Sequence, residues 1–239
     1  MLHTNASART LSIDIGGSGI KVMVLDKSGA PLSERVRLDT PQPATPEAVL
    51  NTIKQLVMSV GEFERISAGF PGVVRMGVIE TAANLHPDWI GYNLATELSK
   101  RLQKATRVIN DADMQGLGAI SGQGVELVIT LGTGFGSALF VDGKLVPNLE
   151  MAHHRFRKGE TYEEQLGRAA LEKVGEQKWN KRLQKAINSL QKLFNYDFLY
   201  IGGGEAKLVK LPLAQNIKII SNLNGLLGGI ALWKDLEAL

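Results

Sequence analysis

The chain has 239 residues, of which 44% are hydrophobic and none is cysteine, and its formal net charge is +3 at pH 7. This length allows two modest hydrophobic cores, and we expect two lobes. The lack of cysteine excludes disulfides, thiolate nucleophiles and cysteine zinc sites, and it fits a reducing compartment. No stretch approaches the roughly 20 apolar residues of a membrane span, and the polar residues 1–10 lack a signal-peptide core, so we expect a cytoplasmic protein with no membrane partner.

The first half of the chain alternates predicted strands and helices. Residues 11–26 predict a strand, a glycine turn and a second strand, and a third strand follows near 34–38. Thr45 and Pro46 occupy the N-cap and first helical positions of a helix that ends near Gly61. The next predicted elements are a buried strand at 65–72, an extended segment through 78–79, a helix that Asn93 caps, a strand at 107–110 and a helix over 113–120. For the last helix, Asp113 is a more natural N-cap than Asp111.

We place a boundary between an N-terminal lobe, 1–121, and a C-terminal lobe, 122–239. Residues 127–142 again predict a strand, a glycine turn and a strand. Further along the chain, Thr161 and Glu164 have the spacing of a capping box. The remaining predicted elements are an amphipathic helix whose apolar stripe runs from Trp179 to Phe194, a strand at 196–201 that leads into three glycines, and a helix at 224–233 that packs back on the N-terminal lobe.

The two strand, turn and strand segments are the most informative feature of the chain. Segments 11–26 and 127–142 align without a gap and match Gly16 to Gly132. A glycine turn between paired strands exposes backbone N–H groups, which can bind phosphate oxygens. Two such turns predict a duplicated fold with a phosphate in the cleft between its lobes, and they indicate phosphoryl transfer.

Other interpretations of the glycine turns are less consistent with their neighbours. A dinucleotide-binding fingerprint opens a helix, whereas 137–141 are rich in residues that favour a strand. Neither turn ends in the Gly-Lys-Ser/Thr of a P-loop. For either turn taken alone, an ordinary glycine hairpin remains the alternative.

Basic side chains are concentrated after the second glycine turn. They are Arg155, Arg157, Lys158, Arg168, Lys173, Lys178, Lys181, Arg182, Lys185 and Lys192. The glutamates in the same part of the sequence are Glu163, Glu164, Glu172 and Glu176. The segment is therefore either a solvated helix face with mixed charges or a groove for an anionic chain.

Several short motifs together resemble the ROK group of sugar kinases. They are 14–21 (Asp-Ile-Gly-Gly-Ser-Gly-Ile-Lys), 110–113 (Asn-Asp-Ala-Asp), 131–134 (Leu-Gly-Thr-Gly), Glu150 with His153, and 201–204 (Ile-Gly-Gly-Gly). Segments 81–84, 88–91 and 136–148 resemble the polyphosphate glucokinase and glucomannokinase branch in particular. The resemblance runs over nearly the whole chain. It implies an α/β, duplicated actin/hexokinase-like (ribonuclease H-like) two-lobed fold with mixed sheets.

The resemblance makes Asp111 the general base of the reaction. The residue chemistry agrees, because a carboxylate that follows a strand, where an α/β sheet opens into its crevice, can accept a proton from an attacking hydroxyl. The alternative is that Asp111 only caps the helix after it. The resemblance further implies a sugar-binding set whose amide, carboxylate and imidazole groups match hydroxyls, namely Asn84, Asn110, Asp111, Glu150 and His153.

The resemblance also assigns the phosphate and metal contacts. Gly16, Gly17 and Lys21 would face the transferred phosphate, Gly132, Thr133 and Gly134 the phosphates of the donor, and Gly202 and Gly203 the adenosine of ATP. Asp14 resembles the carboxylate that holds Mg²⁺ through water, and its alternative role is to initiate a turn. A metal site formed by Glu150, His153 and His154 competes with the sugar set, although adjacent histidines seldom point the same way.

The chain departs from the family pattern in three ways. In the usual Glu-x-Gly-His motif, this chain has Ala152 in place of glycine. The zinc motif of many ROK proteins is absent. Only about ten residues precede the first strand, which is too few for the helix-turn-helix of ROK repressors. We therefore expect a homodimeric kinase that uses Mg²⁺ and ATP and/or polyphosphate to phosphorylate a hexose, with glucose 6-OH as the expected acceptor, and that binds no nucleic acid. The alternatives are a catalytically silent sugar sensor and a ROK-type transcriptional regulator.

Overall fold

The computed structural model describes residues 8–236. The chain divides into two compact units, of which the first contains the residues up to Gly118 together with those from Leu223 onward, and the second is Ala119–Asn222. Each unit has a five-stranded sheet and a hydrophobic cluster of its own. Among the described residues, no helix combines the length and the apolar character that crossing a membrane requires.

The first unit is built on a sheet with the strand order β3-β2-β1-β4-β7. Its strands are β1 Thr10–Ile15, β2 Ile20–Leu25, β3 Val36–Leu38, β4 Arg65–Phe70, β5 Val74–Arg75, β6 Val78–Ile79 and β7 Ala105–Asn110. Its helices are α1 Pro46–Val57, α2 Leu94–Leu102 and α3 Asp111–Leu117, with a 3₁₀ turn at Pro87–Trp89. Strands β5 and β6 form a separate antiparallel pair.

The second unit repeats this plan with the strand order β10-β9-β8-β13-β14. Its strands are β8 Val125–Leu131, β9 Phe135–Val141, β10 Lys144–Val146, β11 Arg155–Arg157, β12 Glu160–Thr161, β13 Phe198–Gly202 and β14 Ile217–Ile219. Its helices are α4 Tyr162–Leu166, α5 Arg168–Val174 and α6 Glu176–Phe194, with a 3₁₀ turn at Ala206–Leu208.

The strand directions in the two sheets correspond one to one. In the first unit, β1 pairs antiparallel with β2 and parallel with β4, β2 pairs antiparallel with β3, and β4 pairs parallel with β7. In the second unit, β8 makes the same antiparallel and parallel pairings with β9 and β13, β9 pairs antiparallel with β10, and β13 pairs parallel with β14. The predicted duplicated α/β fold with mixed sheets is confirmed.

Helix α1 shows how local sequence signals and the core agree in the first unit. Thr45 is the N-cap, its side chain accepts a hydrogen bond from the backbone N–H of Ala48, and Pro46 is the first helical residue, as predicted. The helix buries a stripe of apolar side chains against the sheet, namely Val49, Leu50, Ile53 and Leu56. Trp89 is fully buried in the same cluster and donates its indole N–H to the backbone oxygen of Ala44.

Helix α6 provides much of the core of the second unit. Its buried side chains Trp179, Leu183, Ile187 and Leu190 recur at the spacing of one helix face, which confirms the predicted amphipathic helix. The capping box at Thr161 and Glu164 is also confirmed, and both of its hydrogen bonds are present at the start of α4.

The predicted helix over 113–120 begins at a different residue. Helix α3 starts at Asp111, and Asn110 is its N-cap, so the expectation that Asp113 caps the helix is wrong. The side-chain oxygen of Asn110 accepts hydrogen bonds from the backbone N–H groups of Ala112 and Asp113 at 2.8 and 3.1 Å. Because β7 ends at Asn110 and the helix begins at once, Asp111 lies directly at the carboxyl end of the strand.

The C-terminal segment belongs to the first unit, where it lies against the sheet. The predicted helix at 224–233 is α-helical only in α7, Asn224–Leu227, and continues as 3₁₀ helix over Gly228–Leu236. Two serine hydroxyls of the sheet donate hydrogen bonds to backbone oxygens of this segment. Ser12 on β1 donates to the oxygen of Leu226, and Ser67 on β4 donates to the oxygen of Gly229. Those bonds and the poor helix propensity of glycine favour the tighter turn.

A buried carboxylate fixes the start of the second unit. Glu126 on β8 is fully buried and accepts hydrogen bonds from the backbone N–H groups of Ser121, Gly122 and Gln123, from the Ser121 hydroxyl and from the Tyr200 hydroxyl. Burial by itself raises the pKa of Glu126, but the hydrogen bonds from Tyr200, Ser121 and Gly122 outweigh it and hold the pKa below its ordinary value. The segment 121–123 is therefore fastened to the sheet by a charged group.

We expect Glu126→Gln to destabilise the second unit by about 3 kcal/mol, because the amide NH₂ would face donors that now bind a carboxylate oxygen. Native-state hydrogen exchange at β8 and β13 measures this unit directly. Tyr200→Phe is the matched control, since it removes one donor and leaves the carboxylate, and it should cost only about 1 kcal/mol.

The same variant should show a characteristic pH dependence. Because the folded pKa of Glu126 is depressed, its stabilisation is complete above the unfolded pKa, near about 4.3, and is lost as the pH falls through the folded value. The stability difference between wild type and Glu126→Gln should therefore shrink as the pH falls below about 4. A difference that stays constant while the pH falls from about 4 until the protein unfolds would contradict the assignment of the charge.

Candidate active site

The sequence-predicted site residues fall into two sets, one in each unit. The set in the first unit is Asp14, Gly16, Gly17, Lys21, Asn84, Asn110 and Asp111. The set in the second unit is Gly132, Thr133, Gly134, Glu150, His153, Gly202 and Gly203. In each unit, the glycine turn follows the first strand of the sheet, and further members follow the carboxyl ends of strands that run parallel to it. This edge is where α/β sheets bind ligands.

The first glycine turn connects β1 to β2 and is fixed by its own backbone. Gly16 donates its N–H to the oxygen of Gly19 at 3.0 Å, and the hydroxyl of Thr40 donates to the oxygen of Gly16. Directly beside the turn, Asp14 and Lys21 are cross-strand partners, and the Lys21 ammonium lies 2.6 Å from Asp14 Oδ2. The lysine therefore stands at the turn already paired with a carboxylate.

A further cation lies at this turn that sequence reasoning missed. Arg37 on β3 is the register partner of Lys21, and its guanidinium donates to the backbone oxygen of Ser18 at 2.9 Å and pairs with Asp39 at 2.8 Å. A Cβ placed on Gly19 would lie 2.5 Å from Arg37 Nε, so the guanidinium rests directly on the turn. Only the pairing register reveals this contact.

Asp14 is the residue whose chemistry can be tested against Mg²⁺. Mg²⁺ keeps several waters and is commonly held by one or two carboxylates together with substrate phosphates. Among the described residues, the hydrogen bond to the Asp14 carboxylate comes from Lys21 to Oδ2, which leaves Oδ1 for a water of the cation. No three side chains of His, Cys, Asp or Glu within 8–236 are grouped for a metal ion. A single carboxylate of this kind fits Mg²⁺ held through water.

Asp111 is the first residue of α3 and is half-buried at the end of β7. Its Oδ1 accepts a hydrogen bond from the backbone N–H of Ala112 at 2.8 Å. A Cβ on Gly69 of the neighbouring strand β4 would lie 3.2 Å from the Asp111 Cα. Because glycine has no side chain, the first residue of α3 can lie close to the sheet. The N-terminal position in α3 favours the ionised carboxylate.

The two predicted asparagines have different surroundings. Asn110 is buried, and besides capping α3 it donates its amide to the oxygen of Gly72 at 3.1 Å, so both ends of its side chain hold the fold together. Asn84 is exposed in the turn before the 3₁₀ segment Pro87–Trp89. Of the two, Asn84 is the one whose amide faces solvent.

The second glycine turn connects β8 to β9. The N–H of Gly132 donates to the oxygen of Gly134 at 3.1 Å, and the oxygen of Gly132 accepts from the N–H of Arg168 at 2.9 Å. Thr133 is exposed at the tip. A Cβ on Gly132 would meet no atom within 4 Å, so the space in front of this residue is open on the protein side.

The glycines after β13 approach the same strand end. Gly203 has a φ of +88°, and a Cβ there would lie 2.2 Å from the oxygen of Leu131. The backbone N–H of Glu205 donates to the Leu131 oxygen at 2.9 Å, and the Glu205 carboxylate forms an ion pair with Arg168 at 2.8 Å. The segments 132–134 and 202–204 are therefore fastened to each other at the end of β8, and only glycine fits at position 203.

Glu150 and His153 lie in the loop after β10, which Ser137 holds in place. The Ser137 hydroxyl donates to the oxygen of Leu149 and accepts from the N–H of Met151. The Glu150 side chain is exposed, so desolvation by the neighbouring protein is partial. It raises the pKa of Glu150, nearby His153 opposes this, and repulsion from Glu163 adds to it. A carboxyl with a raised pKa in a loop beside histidine is a common feature of functional sites.

Glu163 is a second residue that sequence reasoning missed. Its side chain accepts the N–H of Phe135, immediately after the glycine turn, and its backbone N–H donates to the oxygen of Ala152 in the Glu150 and His153 loop. The capping box located Glu163 in the first turn of α4, but its sequence neighbourhood of charged residues indicated a solvated face. The structure instead shows that it joins the second glycine turn to the loop that contains Glu150 and His153.

The chain is similar in sequence to a known family and to known enzymes. The model of the ROK family matches residues 10–153. The polyphosphate glucokinase of Mycobacterium leprae (strain TN) is 34% identical over 225 residues, which cover 89% of this chain and 69% of that protein. The polyphosphate glucokinase of Mycobacterium tuberculosis (strain CDC 1551 / Oshkosh) is 36% identical over 217 residues, which cover 85% of this chain and 81% of that protein.

A solved structure shows the same similarity in three dimensions. The crystal structure of an inorganic polyphosphate/ATP-glucomannokinase from Arthrobacter sp. strain KM matches with a TM-score of 0.87 and 34% sequence identity, covering 96% of this chain and 99% of that chain. The predicted actin/hexokinase-like fold of the sugar kinases is confirmed by this match. With a family match over residues 10–153 and similarity to these enzymes over most of its length, the chain belongs to the ROK family.

Proposed function

We propose that this chain is a glucokinase-type phosphotransferase that transfers a phosphoryl group from ATP and/or polyphosphate to the 6-OH of a hexose, with glucose as the substrate. The observation that carries the proposal is the similarity to the Arthrobacter polyphosphate/ATP-glucomannokinase, which spans both units of the chain at 34% identity. The two polyphosphate glucokinases of mycobacteria support the same donor and acceptor. These relatives do not favour the transcriptional regulator that the sequence left open.

Asp111 is proposed as the general base. In the reaction, the hexose hydroxyl oxygen forms a bond to the terminal phosphorus of the donor, the bond from that phosphorus to the leaving phosphate oxygen breaks, and the hydroxyl proton passes to the Asp111 carboxylate. The products are the hexose phosphate and either ADP or a polyphosphate shortened by one unit. The position of Asp111 at the end of β7, with its charge favoured by the start of α3, supports this role. An intact carboxylate here also argues against a silent sensor.

The glycine turns are proposed to bind phosphate through their backbone. Gly16, Gly17 and Lys21 would orient the transferred group, and Gly132, Thr133 and Gly134 the rest of the donor, with Gly202 and Gly203 at the adenosine when ATP is used. The open space at Gly132 and the close packing of Gly203 on Leu131 support a donor surface at the end of β8.

Mg²⁺ is proposed to be held by Asp14 through water. When bound, the cation would neutralise charge on the phosphate oxygens of the donor. The pairing of Lys21 with Asp14 Oδ2 keeps the ammonium beside the same carboxylate. The lysine would therefore be held in position beside the Asp14 site, with its charge balanced by that carboxylate.

The sugar set is proposed to be Asn84, Asn110, Asp111, Glu150 and His153, with Ala152 replacing the glycine of the usual family motif. Ala152 is buried and its oxygen is bound by the N–H of Glu163, which gives the loop a defined conformation despite the replacement. Asn110 would act mainly by fixing α3 and with it Asp111. The sequence-based predictions of a homodimer, a cytoplasmic location and no nucleic-acid partner remain predictions.

The role of Asp111 has a direct test. We expect Asp111→Asn to lower kcat by roughly 10² or more while sugar binding stays measurable, because the amide keeps the size of the side chain but cannot accept the proton. Steady-state kinetics with glucose and each donor, together with calorimetric glucose binding, measure both effects.

Glu47→Gln is the matched control for Asp111→Asn. It also removes an acid from the first turn of a helix, α1, together with the surface ion pair of Glu47 and Arg101, and it should lower stability only slightly without lowering kcat. Near-full kcat in folded Asp111→Asn would refute the assignment of the base.

A pair of glycine variants separates donor binding from folding. Gly132→Val places a Cβ where no protein atom lies within 4 Å, so we expect normal stability and a donor KM raised about tenfold or more, with glucose KM nearly unchanged. Gly203→Ala is the contrasting variant, because its Cβ would lie 2.2 Å from the Leu131 oxygen at a φ of +88°, and it should lower the thermal midpoint. Equal changes of donor and glucose KM in Gly132→Val would mean that the turn is only structural.

A further inference from the structure

Two arginines of the second unit donate hydrogen bonds to one neutral residue, Gln165. Gln165 is almost fully buried, its side-chain oxygen accepts from Arg157 at 3.1 Å, and its backbone oxygen accepts from Arg182 at 3.3 Å. Neither guanidinium has an ion pair among the described residues. Glu160 is the register partner of Arg157 across β11 and β12, and its carboxylate accepts from the amide of Gln165. The two half-buried positive charges thus remain available to an anion.

A row of lysines continues from these arginines along α6. Lys178, Lys181, Lys185 and Lys192 are all exposed and recur at spacings of three, four and seven residues, which places them on one face of the helix. At 1.5 Å per residue, the row is about 21 Å long. None of the four has an ion pair within the part of the chain that the structure describes. We call these four lysines with Arg157 and Arg182 the α6 cationic surface.

The glutamates nearby in sequence do not neutralise this surface. Glu163 accepts from the backbone of Phe135, Glu164 closes the capping box of α4, and Glu176 pairs with Lys210 at 2.7 Å. Glu172 is exposed on a different helix, α5. None of these four glutamates forms an ion pair with a cation of the α6 cationic surface within residues 8–236.

The surface begins close to the second glycine turn. Arg182 contacts Gln165, three residues before Arg168, and the N–H of Arg168 donates to the oxygen of Gly132. Between them, a Cβ on Gly167 would lie 3.1 Å from the oxygen of Thr133. Both features belong to the same unit, so the path from the turn to the arginines is short and fixed by backbone contacts.

We propose that the α6 cationic surface binds the portion of a linear inorganic polyphosphate that extends beyond the donor glycine turn. The proposal rests on the proposed function, because it concerns the donor of that reaction. A chain of repeated negative charges matches a row of unpaired cations, whereas ATP is too short to follow it. A nucleic acid of the same charge fits less well, because single strands stack their bases on aromatic side chains.

The aromatic side chains around the surface are engaged in the core. Phe156 stacks on Tyr162 with ring centroids 4.5 Å apart, and Trp179 is fully buried. The exposed large hydrophobic side chains of the described residues include no aromatic one. The surface offers charge without a stacking platform, which favours a ligand that has no bases.

The test neutralises the row and compares donors of different length. We expect Lys178→Gln, Lys181→Gln and Lys185→Gln together to raise the KM for long polyphosphate about tenfold, since three exposed charge contacts are lost. The KM values for ATP, tripolyphosphate and glucose should stay within about twofold, because these ligands do not reach the row. Binding of dye-labelled long polyphosphate, measured by anisotropy without glucose, should weaken by the same factor.

The matched control removes the same charge elsewhere. Lys27→Gln, Lys54→Gln and Lys144→Gln together change three exposed lysines without ion pairs and give the same net charge. This control should retain wild-type KM values for every donor. Rising salt should weaken long polyphosphate binding steeply in the wild type and the control, and less steeply in the α6 variant.

The outcomes separate this proposal from the proposed function. Failure of wild type to phosphorylate glucose with any donor would refute the proposed function. Normal glucose phosphorylation with equal polyphosphate binding in the α6 variant and the control, or no binding of polyphosphate by wild type, would overturn the α6 surface alone. Displacement of labelled polyphosphate by an equally charged DNA oligonucleotide at lower concentration would assign the surface to nucleic acid and also overturn the proposal.

Discussion

In each sheet, the first strand pairs in parallel with a later strand, which pairs in parallel with another, and each unit's set of candidate site residues depends on this constraint. It brings the carboxyl ends of β1, β4 and β7 to one edge, so the turn at Gly16 and the base candidate Asp111 share that edge although they are far apart in sequence. The same pairing in the second sheet brings Gly132 and Gly203 to the end of β8. A strand order that interrupted either set would separate the glycine turn of that unit from the other candidate residues at the same sheet edge.

Polar groups inside the two units hold these edges in place. Asn110 uses both ends of its amide to start α3 and to bind Gly72, which fixes the direction in which Asp111 leaves the strand. Ser12 and Ser67 bind the C-terminal segment through its carbonyl groups on the sheet of the first unit. A buried polar group that loses its partner costs free energy. Each of these contacts therefore favours the backbone geometry that keeps the hydrogen bond and disfavours other geometries.

Local signals in the sequence predicted those features that depend on residues a few positions apart. The cap at Thr45, the capping box at Thr161 and the apolar stripe of α6 are examples, and the duplicated glycine turns indicated the fold. Features that depend on register or on distant partners were not accessible. The contact of Arg37 with the first turn requires the β2 and β3 pairing, and the double role of Glu163 requires the positions of Phe135 and Ala152.

Some positive side chains of this protein are paired with carboxylates and others are not, and the two groups would act differently on an anionic ligand. Lys21 and Arg168, which stand beside the two glycine turns, are already paired with Asp14 and Glu205. Such pairs present little net charge to an incoming phosphate, so binding at the turns would rest on directed backbone N–H groups, which favour correct geometry more than raw affinity. The unpaired cations of the α6 cationic surface have the opposite character, since they attract negative charge with little directional preference. A donor that can reach both would be oriented at one place and retained at the other.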